Sequence, residues 1–357
     1  MLKSAPPKRG GALLVLGLET SCDETAAAVV EDGRRVLSDV VSSQAAFFSR
    51  YGGVVPELAG RNHAARILPV VRESLRLAGI VYGDLGGVAA TYGPGLTGAL
   101  LVGLNFGKAL AAGLGVPFVG VNHLAAHLQA PLLGEDPPEP PFVGLLVSGG
   151  HTALYEVGPG EPGQDGLLRF RLLGETLDDA AGEAYDKVGR LLGIPYPAGA
   201  ALDELARSFS GEAEPFTRPL PEGLDFSFSG LKTAAARRVA ELEGEGRLEE
   251  RRSAVAAGFQ AAVVETLAEK ALAACRKILL KKLVVGGGVA ANRGLRELLS
   301  RRAAEEGIAV RFAPLEYAMD NAAMVAARGY FLLAAGTTSP PELEASACLE
   351  LGAGDGR

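Results

Sequence analysis

Apolar residues dominate positions 12–18 (ALLVLGL), 25–30 and 35–41, and short polar turns at 21–24 and 31–33 separate the three segments. Apolar runs of this length bounded by turn residues predict three consecutive strands. The period then changes. Over 55–78, Pro56 suits a first helical turn, and Ile67, Val70, Val71 and Leu75 recur every three or four residues, which predicts a helix. A strand at 87–91 ends in Gly93-Pro94-Gly95, and a helix at 96–114, a strand at 117–121 and a helix from about His123 follow. The segment GEDPPEPP at 134–141 carries too many prolines for regular structure and reads as a linker.

The second half repeats this order. Strands are expected at 142–147, 152–157 and 168–173, then at 283–285 before Gly286-Gly287-Gly288, then a helix at 290–306, a strand at 309–312, and a helix opened by Asp320. Extra helices at 178–192, 200–209 and 251–279 interrupt the repeat. An internal duplication of this kind predicts two related α/β domains around a central cleft, where ligands usually sit. The expected boundaries are 12–133 for the first domain and 142–319 for the second, with an insertion at about 178–279. The last helix, about 320–335, is expected to return to the first domain, and 1–11 and 337–357 are expected to be flexible tails.

Composition narrows the class. With 48% hydrophobic and 22% charged residues the chain has ample core material, so disorder is excluded for its bulk. The 48 glycines cluster where apolar runs end, as in ligand-binding α/β proteins. The formal charge of −7 means that any nucleic acid must be held by a local basic patch. Cys22, Cys275 and Cys348 make neither a disulfide framework nor a cysteine zinc site, which suits a reducing, cytoplasmic setting. Neither a secretory leader nor a membrane span is expected, because no stretch is read as reaching about 18 apolar residues.

Candidate chemistry gathers at four places. The first hairpin, GLETSCDET at 17–25, packs hydroxyls, backbone donors and the carboxylates Glu19, Asp23 and Glu24 into one turn. Such a turn can cradle phosphate, while its carboxylates hold a cation or position a nucleophile. Its counterpart is LVSGGHT at 146–152, where His151 has no assigned role. Two hydroxyl- and glycine-rich first hairpins, one per half, resemble those of the actin, Hsp70 and sugar-kinase superfamily. Second, His123 and His127 stand at i and i+4 on one helix face. The duplication brings Asp320 to the matching position, giving two imidazoles and one carboxylate, a set that suits iron(II) or zinc; Asp320 is also a natural N-cap. A metalloprotease is disfavoured because Leu124 stands where the general-base glutamate of H-E-x-x-H would be. Third, Asp179, Glu183 and Asp186 make an acidic helix face, followed by Tyr196-Pro197-Ala198-Gly199 and Asp203. Fourth, GGGVAANR at 286–293 offers close backbone approach and a helix N-terminus to an adenine or phosphate.

The strings GLETSCDET, YGGVVPELA (51–59), GPGLTGALLVG (93–103), NHLAAH (122–127), LLVSGGHT (145–152), DDAAGEAYDKVGRLLG (178–193), DFSFSGLKT (225–233) and GGGVAANR together resemble the TsaD family, over about residues 12–335. These are tRNA adenosine threonylcarbamoyltransferases, formerly labelled O-sialoglycoprotein endopeptidases. The resemblance implies the duplicated actin-like, ribonuclease H-like fold. It also implies transfer of threonylcarbamoyl from threonylcarbamoyl-AMP to the exocyclic amine of the adenosine 3′ of the anticodon, position 37, in tRNAs reading codons that begin with A. It places metal ligands at His123, His127 and Asp320, with iron usual and zinc also found. It places adenylate contacts at Leu146, Val147, Ser148, Gly149, Gly150, Asp186, Gly199, Asp203 and Asn292. It further implies work alongside a TsaB-like paralogue and a TsaE-like ATPase. The chain departs from the family pattern at Asn122, often a third histidine, at Ala198, often glycine, and at Ala318-Met319, often Cys-Thr.

Two other classes share some of these features. A superfamily kinase or ATPase would use the hairpins with magnesium, which prefers oxygen to imidazole; a non-catalytic nucleotide-binding scaffold would lack turnover. For tRNA phosphates, the cations expected to matter are Lys232, Arg237 and Arg238, spaced to share a broad helix face, ahead of Arg61, Arg66 and the Arg251-Arg252 pair, which follows Glu249-Glu250.

Overall fold

The computed structural model describes residues 11–134, 136–160, 168–218, 220 and 222–352. Residues 1–10 and 353–357, which hold nearly all of the expected first tail and the end of the second, lie outside the described residues. The chain forms two compact units, one of residues 1–140, 158–170 and 314–357, the other of residues 141–157 and 171–313.

In the first unit, β1 (Leu14–Glu19), β2 (Glu24–Glu31), β3 (Arg35–Ser43), β4 (Gly87–Gly93) and β5 (Phe118–Asn122) form one sheet in the order β3-β2-β1-β4-β5. The chain between them forms α1 (Ala45–Phe48), α2 (Pro56–Ala78), α3 (Thr97–Leu114) and α4 (His123–Gln129). β1 pairs antiparallel with β2 and parallel with β4. It is buried along its whole length, hence its unbroken apolar run. Ile67, Val70, Val71 and Leu75 of α2 join Leu16, Leu18 and Val88 in one core.

The other sheet, drawn mostly from the second unit, is formed by β6 (Phe142–Val147), β7 (Thr152–Pro159), β8 (Leu168–Glu175), β9 (Lys282–Gly286) and β10 (Ala309–Phe312), ordered β10-β9-β6-β7-β8. Read from its other edge, this sheet has the order of the first, so the repeat seen in the sequence is a repeat of topology. The intervening helices are α5 (Ala181–Leu191), α6 (Gly199–Arg207), α7 (Ser229–Gly244), α8 (Leu248–Ile278) and α9 (Arg293–Glu305). Their apolar faces surround Phe226, Phe228 and Phe259.

The final helix, α10 (Ala322–Ala334), packs on the first sheet. Gly17 permits its close approach, because a β-carbon there would overlap the backbone at Ala322 and Ala326.

Several expectations are corrected. α9 begins at Arg293, not 290, because residues 288–291 form a 3-10 turn and Asn292 supplies the cap by accepting from Leu295 N at 2.9 Å. α10 is capped by Asn321, which accepts from Met324 N at 2.9 Å, so Asp320 precedes the helix and does not open it. The segment 337–352 is a fitted strap: Ser339 N donates to Phe118 O at 2.8 Å, Ser346 N donates to Tyr92 O at 2.8 Å, and Leu351 is buried. Its prolines rule out a strand's regular ladder, yet its backbone groups still find partners on the edge strand β5 and at the irregularity of β4 beside it. α3 also reaches membrane-spanning length, with 18 residues of mean hydropathy 1.3. One of its faces (Ala99, Leu100, Gly103, Leu104, Gly107, Ala111) is packed in the core.

Candidate metal centre and nucleotide pocket

The first hairpin is held from two sides. Thr20 Oγ1 donates to Ala99 O at 2.9 Å and accepts from Gly103 N at 3.1 Å, tying the turn to α3. His63, on the buried face of α2, donates from Nε2 to Cys22 O at 3.0 Å and accepts at Nδ1 from Thr25 Oγ1 at 2.8 Å. These two bonds set one neutral tautomer, and burial holds the imidazole below its usual pKa. The sequence reading missed His63. The available signal was a histidine in phase with Ile67, Val70 and Val71 on a core-facing helix stripe.

Asn122 caps α4, its Oδ1 accepting from Leu124 N at 2.9 Å, and the helix therefore stacks His123 and His127 one turn apart, ring centroids 4.5 Å from each other. Asp320 Oδ1 lies 3.1 Å from His127 Nε2 and 3.7 Å from His123 Nε2. One ligand atom from each of the three residues falls within 4.8 Å of the others. Donors about 2.1 Å from a shared ion sit roughly 3.0–3.4 Å apart; the His127–Asp320 separation of 3.1 Å meets that spacing, the His123–Asp320 separation of 3.7 Å is wider, and two imidazoles with one carboxylate are the donor type that suits a first-row divalent metal.

Behind the cluster, Glu19 is fully buried. Its Oε1 accepts from Ser21 N at 2.6 Å, and its Oε2 accepts from Thr91 Oγ1 at 2.6 Å and from His123 Nδ1 at 3.0 Å. Burial opposes ionisation of Glu19, but the attraction and hydrogen bond of His123 outweigh it, and its pKa is lowered. The same pair acts in reverse on His123: burial lowers its pKa, yet Glu19 and Asp320 raise it to about 9. Glu19 thus turns Nε2 of His123 toward the cluster, the usual carboxylate support of a ligating histidine. His127 Nδ1 is buried without a hydrogen-bond partner.

The hairpin carboxylates differ from one another. Glu24 is pushed up to about 9 by burial, with Asp320 and Asp23 adding to the effect, and it accepts from Ser43 Oγ at 2.9 Å. Near neutral pH it holds its proton. Asp23 is buried in the same turn. The Cys22 thiol is driven well above its ordinary range, chiefly by burial, and so is no thiolate nucleophile.

In the second unit, Leu146 and Val147 are the buried end of β6, and Ser148, Gly149 and Gly150 form the turn that follows. Ser148 closes this turn with His151, whose N donates to Ser148 Oγ at 3.1 Å. Space is open beside Gly149 and Gly150, whereas Gly287, at φ +93°, lies so close to Val147 O that a side chain could not fit. Asp186 Oδ1 accepts from Ala198 N at 2.8 Å and so anchors the loop before Gly199. Asp203 and Asn292 come together through Gln260 of α8, a residue the sequence reading did not single out.

Two sequence expectations about charge change here. Asp179 precedes α5 and is bound by Lys187 at 2.8 Å and Lys232 at 2.9 Å, while Glu183 also pairs with Lys187 at 2.7 Å. Two of the three carboxylates of the expected acidic face are therefore paired with lysines, while Asp186 accepts from a backbone N–H. Arg238 pairs with Glu214 at 2.9 Å and Glu241 at 3.2 Å, and Arg251 pairs with Glu214 at 2.6 Å. Of Lys232, Arg237 and Arg238, only Arg237 has an open side chain, 80% exposed, beside Glu241 at 3.9 Å. Pairing thus breaks up the expected basic face.

Curated relatives cover nearly the whole chain. A protein of Syntrophotalea carbinolica named tRNA N6-adenosine threonylcarbamoyltransferase is 50% identical over 339 residues, spanning 93% of this chain and 95% of its own. One of the same name from Anaeromyxobacter dehalogenans strain 2CP-C is 51% identical over 337 residues, spanning 93% and 97%. Among solved structures, HypF of T. kodakarensis superposes with a TM-score of 0.60 at 16% identity, over 91% of this chain and 48% of that one; at that identity the likeness is one of fold alone, here two α/β halves with five-stranded sheets of matching order. The family model for TsaD, tRNA N6-adenosine threonylcarbamoyltransferase, matches residues 35–327, and the chain belongs to that family of transferases.

Proposed function

We propose that this chain takes the threonylcarbamoyl group from threonylcarbamoyl-AMP and joins it to N6 of adenosine 37 in tRNAs reading ANN codons. The observation that carries this reading is the convergence of His123, His127 and Asp320, with Glu19 behind His123. In the reaction the N6–carbonyl carbon bond forms, the carbonyl–phosphate oxygen bond breaks, AMP leaves, and N6 gives up one proton. The donor is a mixed anhydride and already activated, so no enzyme nucleophile is required, in keeping with the protonated Cys22. What the protein must supply is placement of a weakly nucleophilic amine against the carbonyl, and stabilisation of developing negative charge. Iron(II), with zinc as the alternative, would be held by His123, His127 and Asp320 and would supply Lewis-acid stabilisation of that charge.

Ser148, Gly149, Gly150, Asp186, Gly199 and Asp203 would receive the adenylate, the glycine turn taking phosphate and Asp203 the ribose hydroxyls. Work with a TsaB-like paralogue and a TsaE-like ATPase, in the cytoplasm, completes the proposal. The small-residue outer face of α3 is the surface offered for packing. The test is reconstitution with a threonylcarbamoyl-AMP generator, both partners and an anticodon stem-loop RNA, read by nucleoside mass spectrometry. Failure to form N6-threonylcarbamoyladenosine would overturn the activity, and sustained multiple turnover by the isolated chain would overturn the need for partners.

Among the cations expected to meet phosphate, Arg237 is the one on which we place the contact. Arg237→Glu should weaken RNA binding and flatten its salt dependence by about one unit of slope, without changing AMP affinity. An unchanged slope in filter binding would move the RNA path elsewhere.

A further inference from the structure

Helix α8 runs through the core of the second unit, and among its buried apolar residues Val255, Ala256, Phe259 and Val263 it carries one side-chain amide, Gln260, 7% exposed. An amide is costly in such a place unless its donors and acceptor are satisfied. Gln260 Nε2 donates to Asp203 Oδ1 at 2.9 Å. Its Oε1 accepts from Asn292 Nδ2 at 3.0 Å and from the Tyr185 hydroxyl at 3.5 Å. One side chain therefore joins α6, α5 and the cap of α9.

The bonds around it divide the labour between its two partners. Asn292 accepts from Leu295 N at 2.9 Å and spends its amide hydrogens on Gln260 and on Tyr185 Oη, the latter at 3.3 Å. Both hydrogens are used, so its side chain has no donor left for a ligand. Asp203 accepts from Gln260 and, at 3.4 Å, from Arg293 N, which uses two of about four lone-pair positions on its carboxylate.

We propose that Gln260 is the positioning residue of the nucleotide pocket, holding Asp203 in the one orientation that leaves carboxylate lone pairs for ribose hydroxyls, with Asn292 as part of the frame. This rests on the reading of Asp203 as the ribose acceptor. The titratable groups hydrogen-bonded into this network are Asp203 and Tyr185; of the others on α5, α6 and α9, Asp186 is bonded to Ala198 N, Glu183 and Lys187 pair with each other, and Arg293 and Glu204, 3.7 Å apart, are more than half exposed.

The test uses the full chain with AMP as probe in titration calorimetry, and the thermal midpoint as a control for folding. Gln260→Leu should weaken AMP by about tenfold, because Asp203 loses the donor that fixes it. Gln260→Glu sets a second carboxylate about 3 Å from Asp203, and two carboxylates at that distance share a proton. AMP binding by Gln260→Glu should therefore gain a pH dependence beyond the one the AMP phosphate, with its second pKa of about 6, gives the parent: much weaker than the parent at pH 8 and approaching it below about pH 6. A purely structural glutamine would not create that profile. AMP affinity within twofold of the parent in a folded Gln260→Leu protein overturns the proposal. If Gln260→Leu does not fold, a Gln260→Glu profile parallel to the parent's overturns it instead. A parent protein that does not bind AMP would remove the reading of Asp203 itself, and the proposal with it.

Discussion

If the proposed metal site is right, replacing His127 by alanine should abolish metal retention by this protein and leave its fold standing. His127 Nε2 is 3.1 Å from Asp320 Oδ1, and its other nitrogen is buried without a partner, so truncation removes a ligand together with an orphaned polar atom. The second effect offsets part of the cavity cost, and the loss of stability should stay near ~2 kcal/mol. Metal affinity should fall by more than the 10–100-fold typical of losing an outer partner, since a direct ligand is gone. Transferase activity should fall with it. Metal analysis after dialysis, alongside circular dichroism, checks both halves. Full metal occupancy in a His123→Ala/His127→Ala double variant would show that the ion, if bound, sits elsewhere.

Glu19→Gln should reproduce much of this effect without touching a ligand. Glu19 accepts three hydrogen bonds, from Ser21 N, Thr91 Oγ1 and His123 Nδ1. The amide can keep its oxygen on Ser21 N, and its NH2 then faces the Thr91 and His123 donors. His123 loses the acceptor that directs its Nε2 to the cluster, and metal affinity should drop by roughly 10–100-fold. Competition against a chelator of known affinity measures it. An unaltered affinity would mean that helix α4 alone orients the ring.

His123 and His127 could be paired from sequence because the i, i+4 relation is a local property of any helix. The same holds for the strands: β1 and β6 read as unbroken apolar runs since both faces are covered, and covered strands need no polar alternation. The repeated order of elements carried the fold class, because each half had to bury its own sheet.

Pairing across distance was a different matter. Nothing near Lys232 or Arg238 in the chain says that Asp179, 53 positions earlier, or Glu214, 24 positions earlier, will neutralise them; only the packing of α7 does that. Gln260 looks like any polar residue on a long helix until α6 and α9 bring Asp203 and Asn292 to its two ends. The proline-rich strap 337–352 reads as loose because local propensity knows nothing of the exposed backbone edge at β5. Local sequence determined the elements and the pairing of the two helix-borne histidines. The tertiary structure decided which charges are spent inside, because a charge pair or a buried amide is settled by what lies within about 3–4 Å in space, whatever the separation along the chain.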